Sequence, residues 1–99
     1  MSMNAHHCWA VITSNKEKAD AIFASVEKEY EGHIIRKVIS RNRYYTEFDD
    51  GHDLVWIPLS CSVRGYRFHR LWIDKDLEEE VIHKVLAYSR CDYRAIIWI

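Results

Sequence analysis

The chain has 99 residues, of which 48% are hydrophobic and 13% aromatic, and its formal net charge is −1. A chain of this length holds one hydrophobic core, so we expect a single domain over residues 1–99 rather than a disordered chain. With 14 basic and 15 acidic residues, its bulk charge disfavours both a strongly basic nucleic-acid binder and a highly acidic mimic of nucleic acid, and leaves local charged patches open.

The cysteines and the apolar runs indicate a compartment. Cys8, Cys61 and Cys91 are odd in number and lack paired spacing, which is typical of free thiols in a reducing environment. No apolar stretch approaches the roughly 20 residues that span a bilayer, and no segment resembles a signal peptide. We therefore predict a cytoplasmic protein that does not associate with membranes.

The first third of the chain predicts a strand, a helix and a second strand. Cys8–Thr13 is a short apolar run typical of a buried strand. Ser14 and Glu17 have the Ser-x-x-Glu spacing of a capping box, and apolar residues at helical spacing follow as far as Gly32, which is expected to end the helix. The β-branched residues of Ile34–Arg41 predict the second strand.

A hairpin and a further strand are predicted next. Tyr44–Phe48 and Leu54–Leu59 flank an Asp-Gly pair, which supplies the positive φ that a tight turn needs. Pro58 cannot donate to a sheet ladder, so it argues for an edge position of the second arm. Tyr66–Ile73 is the next predicted strand.

The C-terminal part predicts a second helix and a last strand. Asp74 or Asp76 is expected to cap the helix, and the apolar residues of Arg94–Ile99 form the strand. The resulting order is β-α-β-β-β-β-α-β. Strands joined through helices favour parallel pairing, so we predict an α/β (or α+β) sandwich of two or three layers with the hairpin appended at one edge.

Several short motifs together resemble the core of viral large-terminase and related helicase-type P-loop ATPases. The resemblance covers roughly residues 9 to 80 and rests on four segments: Thr13–Ala19 after a strand, Phe48–Gly51, Arg64-Gly65 and Leu71–Lys75. In that family an apolar strand ends in Asp-Glu beside a phosphate-bound metal. The resemblance implies an ATPase-like fold and an origin in a phage or mobile element.

Two departures from the family predict that the chain is not an enzyme and uses no cofactor. The phosphate loop G-x-x-x-x-G-K-[ST] is absent, and Lys75 stands where the family has the acid that orients the attacking water. Without consecutive backbone amides and a lysine around the phosphates, a nucleotide loses its main anchor. We interpret Asp74 as a helix cap. A remnant or partner-completed nucleotide hydrolase stays as a third hypothesis.

Two segments interleave arginine with aromatic residues, a pattern that holds single-stranded nucleic acid by phosphate attraction and base stacking. The candidate residues are Arg41, Arg43, Tyr44 and Tyr45 in the first segment, and Arg64, Tyr66, Arg67 and Arg70 in the second. If the two strands are neighbours, their arginines share one face. A solvated face balanced by nearby acids is the alternative, which we favour.

Other clusters predict no chemistry. His6, His7 and Cys8 are adjacent, a spacing that does not point ligands at one metal, so no metal site is expected. Nothing orients Cys61 or Cys91 toward a histidine as a nucleophile would require. Acids crowd the start of the second helix, where the helix dipole favours them. The alternative is that these acids form a docking surface for a basic partner; they are Asp76, Glu78, Glu79 and Glu80.

The leading hypothesis is a small non-catalytic binding protein that acts through a protein interface. Tyrosines and tryptophans exceed what one small core needs, and exposed aromatics are favoured interface anchors. The resemblance to a viral packaging core suggests an inhibitor of host machinery such as a defence nuclease, which is an association at family level. A nucleic-acid-binding module is the second hypothesis. A homodimer through Ile96–Ile99 is left open.

Overall fold

Strands and helices alternate along the chain in a computed structural model that describes residues 7–40, 43–57 and 67–99. The elements are β1 (His7–Ile12), α1 (Lys16–Glu29), β2 (Ile34–Ser40), β3 (Arg43–Phe48), β4 (His52–Ile57), β5 (Arg67–Ile73), α2 (Glu79–Tyr88), β6 (Arg90–Cys91), a 3₁₀ turn (Tyr93–Ala95) and β7 (Ile96–Trp98).

The strands form one mixed sheet in the order β2-β3-β4-β1-β5-β6, with β7 also paired to β5. Strand β1 lies parallel to both β4 and β5, and β5 lies parallel to β6 and β7. The β2-β3-β4 part is antiparallel. The predicted α/β class and the parallel core are therefore confirmed.

The two helices cover opposite faces of the sheet. Val11 packs in one core cluster with Phe23 of α1, whereas its neighbour Ile12 packs in a second cluster with Val85 of α2. Because adjacent residues of a strand point to opposite faces, the sheet is sandwiched between α1 and α2. The architecture is the three-layer form of the predicted sandwich.

The predicted hairpin forms, but the edge position expected for its second arm is wrong. Gly51 has a φ of +93° at the turn between β3 and β4, and Tyr45 pairs with Val55 across the hairpin. Strand β4 then lies between β3 and β1, inside the sheet. Pro58, which suggested an edge, lies outside the described residues and follows the last paired residue of β4.

Both predicted helix caps are wrong in detail. The N-cap of α1 is Asn15, whose side chain accepts hydrogen bonds from the amides of Glu17 and Lys18, so Ser14 does not form a capping box. The N-cap position of α2 is Glu78, which makes no side-chain capping bond. Asp74 lies before that position, and its side chain has other hydrogen-bond partners.

The predicted last strand, Arg94–Ile99, is shorter than expected and is preceded by a two-residue strand that was not predicted. Strand β6 pairs with Arg67 and Phe68 of β5, and β7 pairs with Leu71–Ile73, in the same direction. The 3₁₀ turn between them moves the chain away from the middle of β5, and Asp92 caps the turn by accepting a bond from the Arg94 amide. The predicted strand therefore begins at Ile96, because the 3₁₀ turn takes up Arg94 and Ala95.

An aromatic cluster closes the core beneath α1. The His52 ring is buried and lies 4.2 Å from the Trp9 ring, 4.4 Å from the Phe48 ring and 5.0 Å from the Tyr30 ring, centroid to centroid. Its Nδ1 contacts the Asp50 carboxylate, while its Nε2 is buried without a hydrogen-bond partner among the described residues. The histidine therefore behaves mainly as an aromatic core residue.

Candidate functional site: an arginine cleft and an exposed edge strand

The gap between β6 and β7 forms a cleft of about 870 Å³ beside β5, which we call the arginine cleft. Its basic lining residues are Arg67 and Arg70 of β5, Arg90 of β6 and Arg94 of the 3₁₀ turn. Arg67 and Arg70 were predicted as binding residues from the sequence. Arg90 and Arg94 were not, because only the crossover through α2 brings them beside β5.

The positive charge of the arginine cleft is poorly compensated. No carboxylate of the described residues forms an ion pair with Arg67, Arg90 or Arg94. Asp92 is the only acid among the lining residues, and one of its carboxylate oxygens accepts the Arg94 amide at 2.9 Å. Among the described residues, Arg67, Arg90 and Arg94 are therefore not neutralised by a carboxylate.

Arg70 is held in place by aromatic rings. Its guanidinium carbon lies 4.5 Å from the centroid of the Trp9 ring and 5.9 Å from that of the Trp72 ring. Such cation–π contacts stabilise the charge by about 0.5–2 kcal/mol and limit the rotamers of the side chain. Part of the ordering that ligand binding requires is therefore present before a ligand arrives.

Cys91 and His69 both line the arginine cleft, but the thiol is not activated. Burial, and then the nearby Asp92 carboxylate, raise the pKa of the Cys91 thiol. A raised pKa favours the neutral thiol, whereas a nucleophile needs the thiolate. Of the other thiols considered from the sequence, Cys61 lies outside the described residues.

Strand β2 is a second candidate surface, at the opposite edge of the sheet. It pairs with β3 alone among the described strands, and all of its residues are exposed except Val38, which is half-buried. Ile34, Ile35 and Ile39 are 36%, 60% and 63% exposed. An edge strand with exposed isoleucines presents both backbone hydrogen-bonding groups and apolar area to a partner.

Charges around β2 are partly satisfied within the chain. The Lys37 ammonium lies 2.6 Å from the Glu27 carboxylate of α1, and the other oxygen of Glu27 accepts a 2.7 Å bond from the Thr46 hydroxyl. These bonds tie α1 to β2 and β3. They leave Arg36 as the exposed cation of the strand without an ion pair to described residues.

The first arginine-aromatic segment does not form a binding surface with the second. Strands β3 and β5 are separated by β4 and β1, so the two segments are not neighbours. Tyr44 is buried, with its ring 5.5 Å from Phe23 and 5.0 Å from Trp56, and therefore belongs to the core.

The other candidate residues of the arginine-aromatic segments do not lie together on one surface of the described structure. Tyr45 is half-buried, and burial, together with hydrogen bonding and charge from Asp53 and Glu47, raises its pKa to about 12. Arg43 pairs through its backbone with Ser40. Arg41, Arg64 and Tyr66 lie outside the described residues.

Asp74 is the centre of a hydrogen-bond network at the carboxyl ends of β1 and β5, and it is not a helix cap. Its carboxylate accepts bonds from the Thr13 hydroxyl at 2.6 Å, the Lys18 ammonium at 2.7 Å and the Asp76 amide at 2.9 Å. Lys18 also reaches the carbonyl of Ile99 at 3.4 Å. A divalent cation at Asp74 would have to displace the Lys18 ammonium.

These bonds change the ionisation of both partners. Burial alone would raise the pKa of Asp74, but the bonds from Lys18, Thr13 and the Asp76 amide outweigh it and lower the pKa. The bond to Asp74 raises the pKa of Lys18, with burial acting in the opposite sense. Both groups are therefore charged at neutral pH and hold β1, α1 and β5 together.

The proposed acidic docking surface is exposed throughout. Asp76 lies 3.1 Å from the Lys18 ammonium, and Glu80 lies 3.4 Å from the Lys84 ammonium one turn along α2. Glu79 and Glu80 occupy the first turn of α2, where the dipole favours them. Helix-start electrostatics accounts for Glu79 and Glu80, and the docking surface stays a prediction.

Within residues 7–40, 43–57 and 67–99, no group of three or more His, Cys, Asp or Glu side chains is arranged to hold a metal ion. The helices of the described part of the chain are too short or too polar to cross a bilayer. Comparison of the chain with family models, curated proteins and solved structures finds no match.

Proposed function

We propose that the chain is a small binding protein that acts through a protein interface, with β2 as the strand that receives the partner. The observation that carries the proposal is the exposed edge of β2, which pairs with β3 alone among the described strands and carries three exposed isoleucines. An extended segment of a partner that adds to such an edge gains main-chain hydrogen bonds and covers apolar side chains.

The apolar area available on β2 is enough to matter for affinity. Fully burying an isoleucine contributes about 1.5–3 kcal/mol, and Ile35 and Ile39 are 60% and 63% exposed. A partner that covers both gains about 2–4 kcal/mol from these two side chains together. Because Lys37 is already paired with Glu27, this edge offers Arg36 as the cation for an acidic group on the partner.

Capture from a host lysate, followed by identification of the bound proteins, tests this proposal. We expect the double variant Ile35→Lys/Ile39→Lys to lose the partner that the wild-type chain captures, because lysine on an edge strand opposes pairing. Ile97→Lys is the control, since it places a single lysine at the opposite edge of the sheet. Retention of the same partner by the double variant would contradict the proposal.

Hydrogen exchange then locates the interface on the identified partner complex. Amides of residues 34–40 are expected to exchange more slowly when the partner is added, while those of β7 are unchanged. Protection confined to other elements would exclude β2 as the docking strand. The narrower hypotheses of an inhibitor of a defence nuclease, a phage origin and a P-loop ATPase ancestry stay predictions.

A further inference from the structure

We propose that the arginine cleft binds single-stranded nucleic acid, with its arginines on the phosphates and Tyr93 stacked on a base. This goes beyond protein binding at β2 and does not rest on it, since the two surfaces lie at opposite edges of the sheet. The cleft lies where β5 changes its partner from β6 to β7.

The chemistry of the arginine cleft selects a phosphate-bearing ligand. Arg67, Arg70, Arg90 and Arg94 come from three separate elements and line one cavity of about 870 Å³. Each guanidinium is a planar donor fork that matches a phosphate, and it keeps its charge at any accessible pH. The net charge of the whole chain is only −1, yet four positive side chains are clustered in this one cleft.

The exposure of these arginines favours a polymer over a small phosphorylated molecule. Arg67, Arg90 and Arg94 are all exposed, so salt and water weaken each single contact with a phosphate. A small-molecule site instead buries most of its ligand among enclosing walls. Several phosphates on one backbone engage the arginines together, and their contributions add.

One exposed aromatic ring, next in sequence to residues that line the cleft, favours a single strand over a duplex. Tyr93, at the first position of the 3₁₀ turn between two lining residues, is 85% exposed. Such a ring has no packing role in the fold, while unpaired bases stack on exposed aromatic side chains. In a duplex the base faces are covered by their neighbours and are not accessible to Tyr93.

Fluorescence anisotropy with a labelled single-stranded 12-mer of mixed sequence, and with its duplex, tests the proposal. We expect the single strand to bind with an affinity that falls with salt, with a slope of about −0.7 for each phosphate contact. Inorganic phosphate at equal phosphate concentration is expected to compete poorly. Failure to bind at low salt, tighter binding of the duplex, or equal competition by inorganic phosphate would each overturn it.

Variants localise the binding. Arg67→Gln/Arg90→Gln is expected to weaken binding about tenfold or more and to make the salt slope shallower. Tyr93→Ala is expected to weaken binding about fivefold or more without changing the salt slope, because stacking releases no counterions. Arg36→Gln, which removes an exposed charge from β2 at the far edge, is the control. An equal loss in Arg36→Gln would contradict the assignment to the cleft.

Discussion

The Asp74 carboxylate joins the ends of β1 and β5 to the first turn of α1 through Thr13 and Lys18. Lys18 and Lys75 also bond to the C-terminal residue Ile99, so the last residue of the chain is tied to the same place. A single buried acid therefore coordinates groups that lie 56 and 61 residues away from it in the sequence. Its charge is the feature that keeps these groups together.

The lowered pKa of Asp74 predicts a pH dependence of stability. Its folded-state pKa lies below the unfolded value of about 3.9, so the stability it contributes is present above the unfolded-state pKa and is lost as pH falls through the folded-state pKa. Denaturant unfolding between pH 2.5 and 7 is expected to show a smaller acid-induced loss in Asp74→Asn than in wild type. Glu79→Gln, an exposed acid, serves as control; an unchanged acid profile in Asp74→Asn would refute the assignment.

Cys8 is predicted to be an unreactive thiol in the native protein. Burial, and then the charge of Asp53, raise its pKa from 9.0 to about 11, which leaves about 100-fold less thiolate at neutral pH than in the unfolded chain. Peptide-resolved alkylation with iodoacetamide at pH 8 is expected to modify Cys8 much more slowly in the native protein than in denaturant. Comparable rates in the two states would be inconsistent with this environment.

At the level of the element, two adjacent residues, Ser14 and Asn15, are candidate N-caps of α1. The Asn15 side chain accepts bonds from the Glu17 and Lys18 amides, whereas Ser14 is exposed and is not the cap. Asn15→Ala is therefore expected to lower the free energy of unfolding by about 1 kcal/mol, and Ser14→Ala to change it by less than about 0.5 kcal/mol. Denaturant titration measures both. A larger loss of unfolding free energy in Ser14→Ala than in Asn15→Ala would show instead that Ser14 is the cap.

Elements with strong local patterns were predictable, and those set by distant contacts were not. The apolar stripe of α1 and the Asp-Gly turn before His52 carry their signals within a few residues. Strand β6 has only two residues, Arg90 and Cys91, too few for a period. The helix start at Glu79 lacks a side-chain cap at Glu78, so the sequence favoured the earlier aspartates.

The residues of the candidate surfaces also fall into those with a local sequence signal and those placed by distant contacts. Arg67 and Arg70 were found because arginine alternates there with aromatic residues along one strand. Arg90 and Arg94 join them only through the pairing of β6 and β7 with β5, which depends on sheet order. Tyr44 has the same local pattern but is buried, because the alternation of β3 turns it toward α1.

At the scale of the whole molecule, the sheet separates two surfaces of different chemistry. Strand β2 forms one edge, with exposed isoleucines, and β6 with β7 forms the other, with the arginine cleft. Five strand-to-strand steps of about 4.8 Å put roughly 24 Å between the edges. That separation exceeds the Debye length of about 8 Å at physiological ionic strength, so a charge added at one edge is screened from the other.

Binding at the two edges is therefore predicted to be independent. Ile35→Lys/Ile39→Lys is expected to abolish capture of the protein partner and to leave the dissociation constant of the single-stranded 12-mer within about twofold at physiological salt, because the added charges are screened. Arg67→Gln/Arg90→Gln is expected to do the reverse. Titration of each ligand in the presence of the other measures the coupling directly. Mutual exclusion of the two ligands, or loss of both in either variant, would mean that they share one surface.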